Sequence, residues 1–149
     1  MWTEITTSDT ELINKFLEVV WKADPMYKRI CSFGGIIDTI ERGDHHYFLW
    51  DDGESQIALG LRWKKGKNMF KLINGSILGP IDPYQAAYMH IAKCLDFLKE
   101  HGQSEAYWHR PSLSDNPITQ SFHDGMASHN DVEVIEDKDG VVTLTLRVP

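Results

Sequence analysis

At 149 residues and a formal net charge of −7, the chain has the length of one domain with a sizeable core and lacks the basic balance of a general nucleic-acid surface. Its apolar and charged shares, 42% and 25%, are ordinary for a globular chain, and no apolar run reaches the roughly 20 residues of a membrane-crossing helix. Two cysteines cannot build a disulfide framework, and the opening MWTEITTSD has neither the basic nor the apolar region of a secretory leader; a cytoplasmic protein is expected, with no membrane contact.

The elements follow in chain order. Trp2 to Thr6 alternates as a short strand. Ser8-Asp9-Thr10-Glu11 has capping-box spacing, and Leu12, Ile13, Phe16, Leu17, Val20 and Trp21 recur at helical steps until Pro25. Met26 to Arg42 predicts a helix in two parts, with Gly34-Gly35 as the interruption. His46 to Trp50, Ser55 to Trp63 and Met69 to Leu78 are apolar runs separated by turn signals, which read as an antiparallel meander.

The stretch Gly79 to Gly125 organises the rest. Asp82-Pro83 is a cap-and-first-turn signal, and Tyr84, Ala87, Tyr88, Ile91, Leu95 and Leu98 form one apolar stripe ending at Gly102. A strand, Glu105 to His109, precedes a short helix, Pro117 to Asp124, with Ile118 and Phe122 facing inward and Gly125 as its stop. Two last strands, Val132 to Ile135 and Val141 to Val148, are joined across Asp137-Lys138-Asp139-Gly140 as a hairpin. The fold class is therefore α/β (α+β). A mixed, mostly antiparallel sheet is flanked by helices in the order β-α-α-β-β-β-α-β-α-β-β, within one domain spanning 1–149. Met69 to Leu78 and Glu105 to His109 are expected to run parallel in one sheet. Leu12, Phe16, Val20, Ile91, Leu95, Leu98 and Ile118 are the expected core.

That order resembles the GNAT superfamily of N-acetyltransferases over nearly the whole chain. Pro83-Tyr84-Gln85 looks like the turn that opens the superfamily's acyl-CoA signature, and Asp115-Asn116-Pro117-Ile118 with Phe122 and Gly125-Met126 is similar to its late pattern. The resemblance implies a cofactor, acetyl-CoA or another acyl-CoA, and transfer of its acyl group to an amine of a small molecule or peptide. It places cofactor contacts at Ile77, Leu78, Gln85, Ala86, Ala87, Tyr88, His90 and Asn116. A helix N-terminus suits a pyrophosphate because its N–H groups are unpaired and carry partial positive charge. The signature's two glycine positions hold Tyr88 and His90 here, and the tyrosine that serves the superfamily as general acid is matched by Phe122.

Catalytic candidates are Glu105 and His109 on the strand after the long helix, His123 beside Phe122, and His45 and His46 as further bases. No His-x-x-x-His or Cys-x-x-Cys spacing occurs, so no metal site is expected. Cys94 falls among apolar helical neighbours and reads as core. Two other readings stay open. One is a catalytically inactive binding or inhibitory protein on the same scaffold, with a protein partner. The other is an accessory subunit or homodimer pairing through the terminal hairpin.

Overall fold

The computed structural model describes all residues, 1–149. Its elements are β1 (Trp2–Glu4), α1 (Thr10–Ala23), a 3-10 turn (Pro25–Arg29), α2 (Phe33–Glu41), β2 (His45–Asp51), β3 (Gln56–Lys64), β4 (Met69–Leu78), α3 (Pro83–Glu100), β5 (Glu105–Pro111), α4 (Pro117–Ala127), β6 (Val132–Lys138) and β7 (Val141–Arg147). The seven strands form one sheet in the order β1-β2-β3-β4-β5-β7-β6. β4 and β5 pair in parallel, Phe70 opposite Ala106, as the sequence predicts, while β1–β2, β2–β3, β5–β7 and β6–β7 are antiparallel. No helix is long and apolar enough to cross a membrane.

The chain divides into two compact units, Met1–Trp63 with Ile73–Ile81, and Lys64–Leu72 with Asp82–Pro149. In the first, Asp9 caps α1 by accepting from the Leu12 N–H, one residue after the serine of the expected capping box. The α1 face of Ile13, Phe16, Leu17, Val19 and Val20 is buried with Ile36, Tyr47 and Leu49. Leu12 is only partly buried against this cluster. The helical break does not fall at the paired glycines. It falls at Ile30 to Ser32, and Gly34-Gly35 lie inside the first turn of α2, because Ser32 Oγ accepts from the Gly35 N–H and nucleates the helix there. The turn Asp51 to Ser55 is held by carboxylates. Asp51 accepts from the Gly53 N–H, and bonds from Gln56 and Lys15 join it to hold that carboxyl down to about 2.

In the second unit, α3 is closed at both ends by its own sequence. Gln103 N–H donates to the Leu98 carbonyl and Gly102 N–H to the Lys99 carbonyl, the paired bonds of a Schellman motif, with Gly102 at φ 65°. The last hairpin turns on Asp139 and Gly140, both at positive φ, which matches the right-handed twist of β6 and β7.

Two packing expectations are corrected here. The buried face of α3 comprises Ala86, Ala87, His90, Ile91, Cys94, Leu95, Phe97 and Leu98, whereas Tyr84 and Tyr88 stand 53% and 64% exposed. The cause is Gly125, which lies within α4 and does not end it. A Cβ there would sit 2.8 Å from Ala87 Cβ and 3.1 Å from Tyr84 Cδ1, so α4 approaches α3 over Ala87 and leaves both tyrosine rings outside. Ile118 is also exposed, at 51%, because it stands in the first turn of α4, ahead of the buried Phe122 and Met126.

Candidate functional site

The first turn of α3 is the candidate phosphate cradle, and two of its N–H donors, those of Gln85 and Ala86, are already engaged. Asp82 is the N-cap. Its carboxylate accepts from the Gln85 N–H at 3.1 Å, and its carbonyl accepts from the Ala86 N–H at 2.9 Å. Pro83 has no N–H. In the ligand-free chain the N–H groups of Gln85 and Ala86 are thus turned to Asp82. Gln85, Ala86 and Ala87 lie inside the helix, and a carboxylate of this chain occupies the position an incoming anion needs. The Asp-Pro pair signals this cap in the sequence.

The two residues at the signature's glycine positions go to different places. Tyr88 is exposed, with its ring 5.5 Å from that of His129, and the two border a cavity of about 270 Å³ with Tyr84, Gly125, Ser128 and Asn130. His90 is buried, edge-on to Phe122 at 5.5 Å and with Nδ1 3.8 Å from Cys94 Sγ. Burial pushes the Cys94 thiol up, so it is a packing residue and not a nucleophile. Asn116 spends its side-chain oxygen on capping α4, accepting from the Ile118 and Thr119 N–H groups. In the first unit, Ile77 is buried and Leu78 packs partly buried against the core cluster.

The three catalytic candidates are not brought to one point. Glu105 opens β5 opposite Arg147, with its carboxylate 3.7 Å from Arg147 Nε. His109, near the other end of β5, is exposed and bonds through Nδ1 to Thr143 Oγ1 at 2.9 Å; burial, then Lys71 and Lys67, lower its pKa. His123 sits on α4. Its Nδ1 is buried without a hydrogen-bond partner, and burial followed by the Arg110 charge lowers its pKa to about 4. Arg110 alternates with His109 along β5, so His109 and the Arg110–His123 pair belong to opposite faces of the strand.

In the first unit, His46 Nδ1 lies 3.4 Å from Glu4. His45 is 7% exposed and bonds through Nδ1 to Asp44 at 2.6 Å; burial lowers its pKa against the opposing pull of Asp44. It lines a second cavity, of about 350 Å³, with Tyr27, Thr39, Tyr47, Arg62 and Asn74 among its walls. Arg62, Tyr47 and Thr39 carry no sequence signal for a site, since they lie scattered on β2, β3 and α2.

Comparison with solved structures fixes the architecture. The aminoglycoside 6'-N-acetyltransferase from Enterococcus faecium superposes with a TM-score of 0.73 at 10% identity, over 100% of this chain and 97% of that one. The PaiA N-acetyltransferase from Thermoplasma acidophilum, solved with coenzyme A, does so with a TM-score of 0.67 at 14% identity, over 99% of each chain. This is the GNAT fold. A GNAT-family protein from Desulfovibrio desulfuricans matches it at a TM-score of 0.69 and 10% identity, over 100% of this chain and 99% of the other. No family model matches the GNAT-fold chain, and no curated protein matches it in sequence. The likeness thus lives in topology and not in side chains, in keeping with Tyr88, His90 and Phe122 at the positions where the superfamily's signature differs.

Proposed function

We propose that the protein is an N-acyltransferase that takes an acyl group, acetyl in the simplest case, from a CoA thioester and passes it to an amine of a small molecule or peptide. The observation that carries this reading is the full-length likeness to acetyltransferases, one of them solved with coenzyme A. The Tyr88–His129 ledge beside the first turns of α3 supports it, because two rings, tilted at 34° with centroids 5.5 Å apart, offer aromatic surface to an adenine. The pyrophosphate is then received at the α3 N-terminus once the Asp82 side chain swings off the Gln85 N–H. Phe122 has no proton to donate, and none is needed: a thiol of ordinary pKa, about 8.5, leaves as a thiolate as the C–S bond breaks, and the proton released by the attacking amine reaches it through water. A cytoplasmic location fits the two unpaired cysteines, Cys31 and Cys94.

The Asp82 carboxylate favours a second reading, a GNAT-fold binding protein without catalysis. Titration calorimetry with acetyl-CoA separates the two. The acyltransferase reading expects micromolar to submillimolar binding by the wild type and tighter binding by Asp82→Asn, which removes the competing charge and keeps a capping oxygen. Binding by neither protein removes the acyltransferase reading and leaves the binding protein.

A further inference from the structure

The cavity of the first unit has a wall chemistry that the acyl-CoA reading does not use. Arg62 is the one arginine or lysine in its lining, and no aspartate or glutamate is among the lining residues. Its Nε is buried and has no hydrogen-bond partner. A buried guanidinium nitrogen left unpaired is costly, and an arginine fork matches the geometry of a carboxylate. The guanidinium lines the cavity with no carboxylate of the chain beside it, and its fork suits a planar anion.

Two further groups have their hydrogen roles fixed by neighbours. Thr39 Oγ1 gives its single proton to the α2 carbonyls of Gly35 and Ile36, at 2.9 and 3.0 Å. The Tyr47 hydroxyl, 2.9 Å from Thr39 Oγ1, must then be the donor in that pair, which leaves lone pairs on Tyr47 Oη. His45 Nδ1 faces the Asp44 carboxylate at 2.6 Å and so carries the proton, which leaves Nε2 as an acceptor. Arg62 stands directly opposite His45 across the β2–β3 ladder, so the donor and this acceptor are cross-strand neighbours. The remaining wall includes Tyr27, Ile36 and Ile73, an apolar surface.

We propose that this cavity binds a small apolar α-amino acid, with the Arg62 guanidinium taking the carboxylate, Tyr47 Oη and His45 Nε2 taking the amino group, and the apolar wall taking the side chain. As an assignment of the acyl acceptor, this rests on the acyltransferase reading. As a binding site it does not, and the experiment reads binding without any CoA present.

The probes are L-phenylalanine and L-leucine, with phenethylamine lacking the carboxylate and 3-phenylpropionate lacking the amine. Calorimetry on the wild type should show both amino acids binding, and each truncated probe at least about tenfold weaker, a loss of one charged anchor. Arg62→Gln should bind L-phenylalanine no better than phenethylamine, while Arg62→Lys should recover part of the preference, since it restores the charge without the fork. The imidazole nitrogen resonances of His45 should move with L-phenylalanine and not with 3-phenylpropionate. Circular dichroism confirms that each variant is folded, and if Arg62→Gln is not, the lysine variant and the probe series decide. No heat and no shift in melting temperature with either amino acid at about 10 mM overturns the proposal. Equal binding of L-phenylalanine and phenethylamine by the wild type overturns the role of Arg62. Acetyl-CoA binding that fails while the amino acids bind removes the acyltransferase reading alone.

Discussion

The first turn of α3 and the cavity of the first unit are both polar, and their balances are opposite. At α3 the chain meets much of its own need: Pro83 brings no donor, and Asp82 takes the N–H groups of Gln85 and Ala86. In the cavity the chain stops short, with Arg62 Nε unpaired and the lone pairs of Tyr47 and His45 fixed by partners on their far sides. A helix end is the feature that sequence motifs advertise as an anion site, yet it is the cavity wall that carries a cation with no aspartate or glutamate beside it.

Four measurements break or sharpen this contrast. The largest effect concerns another of the buried unpaired nitrogens, His123 Nδ1. Folded His123 stays neutral down to about pH 4, whereas an unfolded histidine takes its proton near 6.5. The unfolded state thus binds more protons in that window, so stability is complete above 6.5, falls by up to about 3 kcal/mol as the pH drops toward 4, and levels off below. Denaturant titrations across the window should show a flatter acid limb for His123→Gln than for the wild type. Equal limbs would mean that His123 is solvated.

Next in size is Asp82→Ala. It should cost about 1 kcal/mol through loss of the cap and, by exposing the Gln85 N–H, raise CoA affinity about tenfold. Unchanged CoA affinity would show that the cap and the phosphate do not compete. Tyr88→Gly should also cost about 1 kcal/mol, almost all of it helix propensity, because the ring is already 64% exposed. Weaker CoA binding in this variant supports the adenine ledge; stronger binding would mean that the ring obstructs the site. The smallest effect is Arg62→Met in the ligand-free protein. Removing an unpaired guanidinium should leave stability within about 0.5 kcal/mol or raise it, since an apolar residue there strands no partner. A loss of several kcal/mol would reveal a structural partner for Arg62 and remove it from the proposed ligand site.

The order of elements was legible in the chain because its signals are local. Asp9 and Asp82 at helix starts, Gly102 after α3 and Asp139-Gly140 in the last hairpin act within four residues, through bonds the backbone makes to its own neighbours. The GNAT architecture follows from that order. The face of α3 that is buried was not legible, because it depends on how closely α4 can approach, and that is set by Gly125, 38 residues after Ala87. Tyr84 and Tyr88 fit the helical period of the apolar stripe and are still left outside. The cavity was least legible of all. Its wall runs from Tyr27 to Asn74 over α2 and three strands, and neither the spare donor of Arg62 nor the tautomer of His45 exists until those segments pack. Capping and turn chemistry are written in neighbouring residues, whereas burial and unmet hydrogen bonds arise only between residues distant in the chain, so tertiary structure alone decided where this protein has room and chemistry for a ligand.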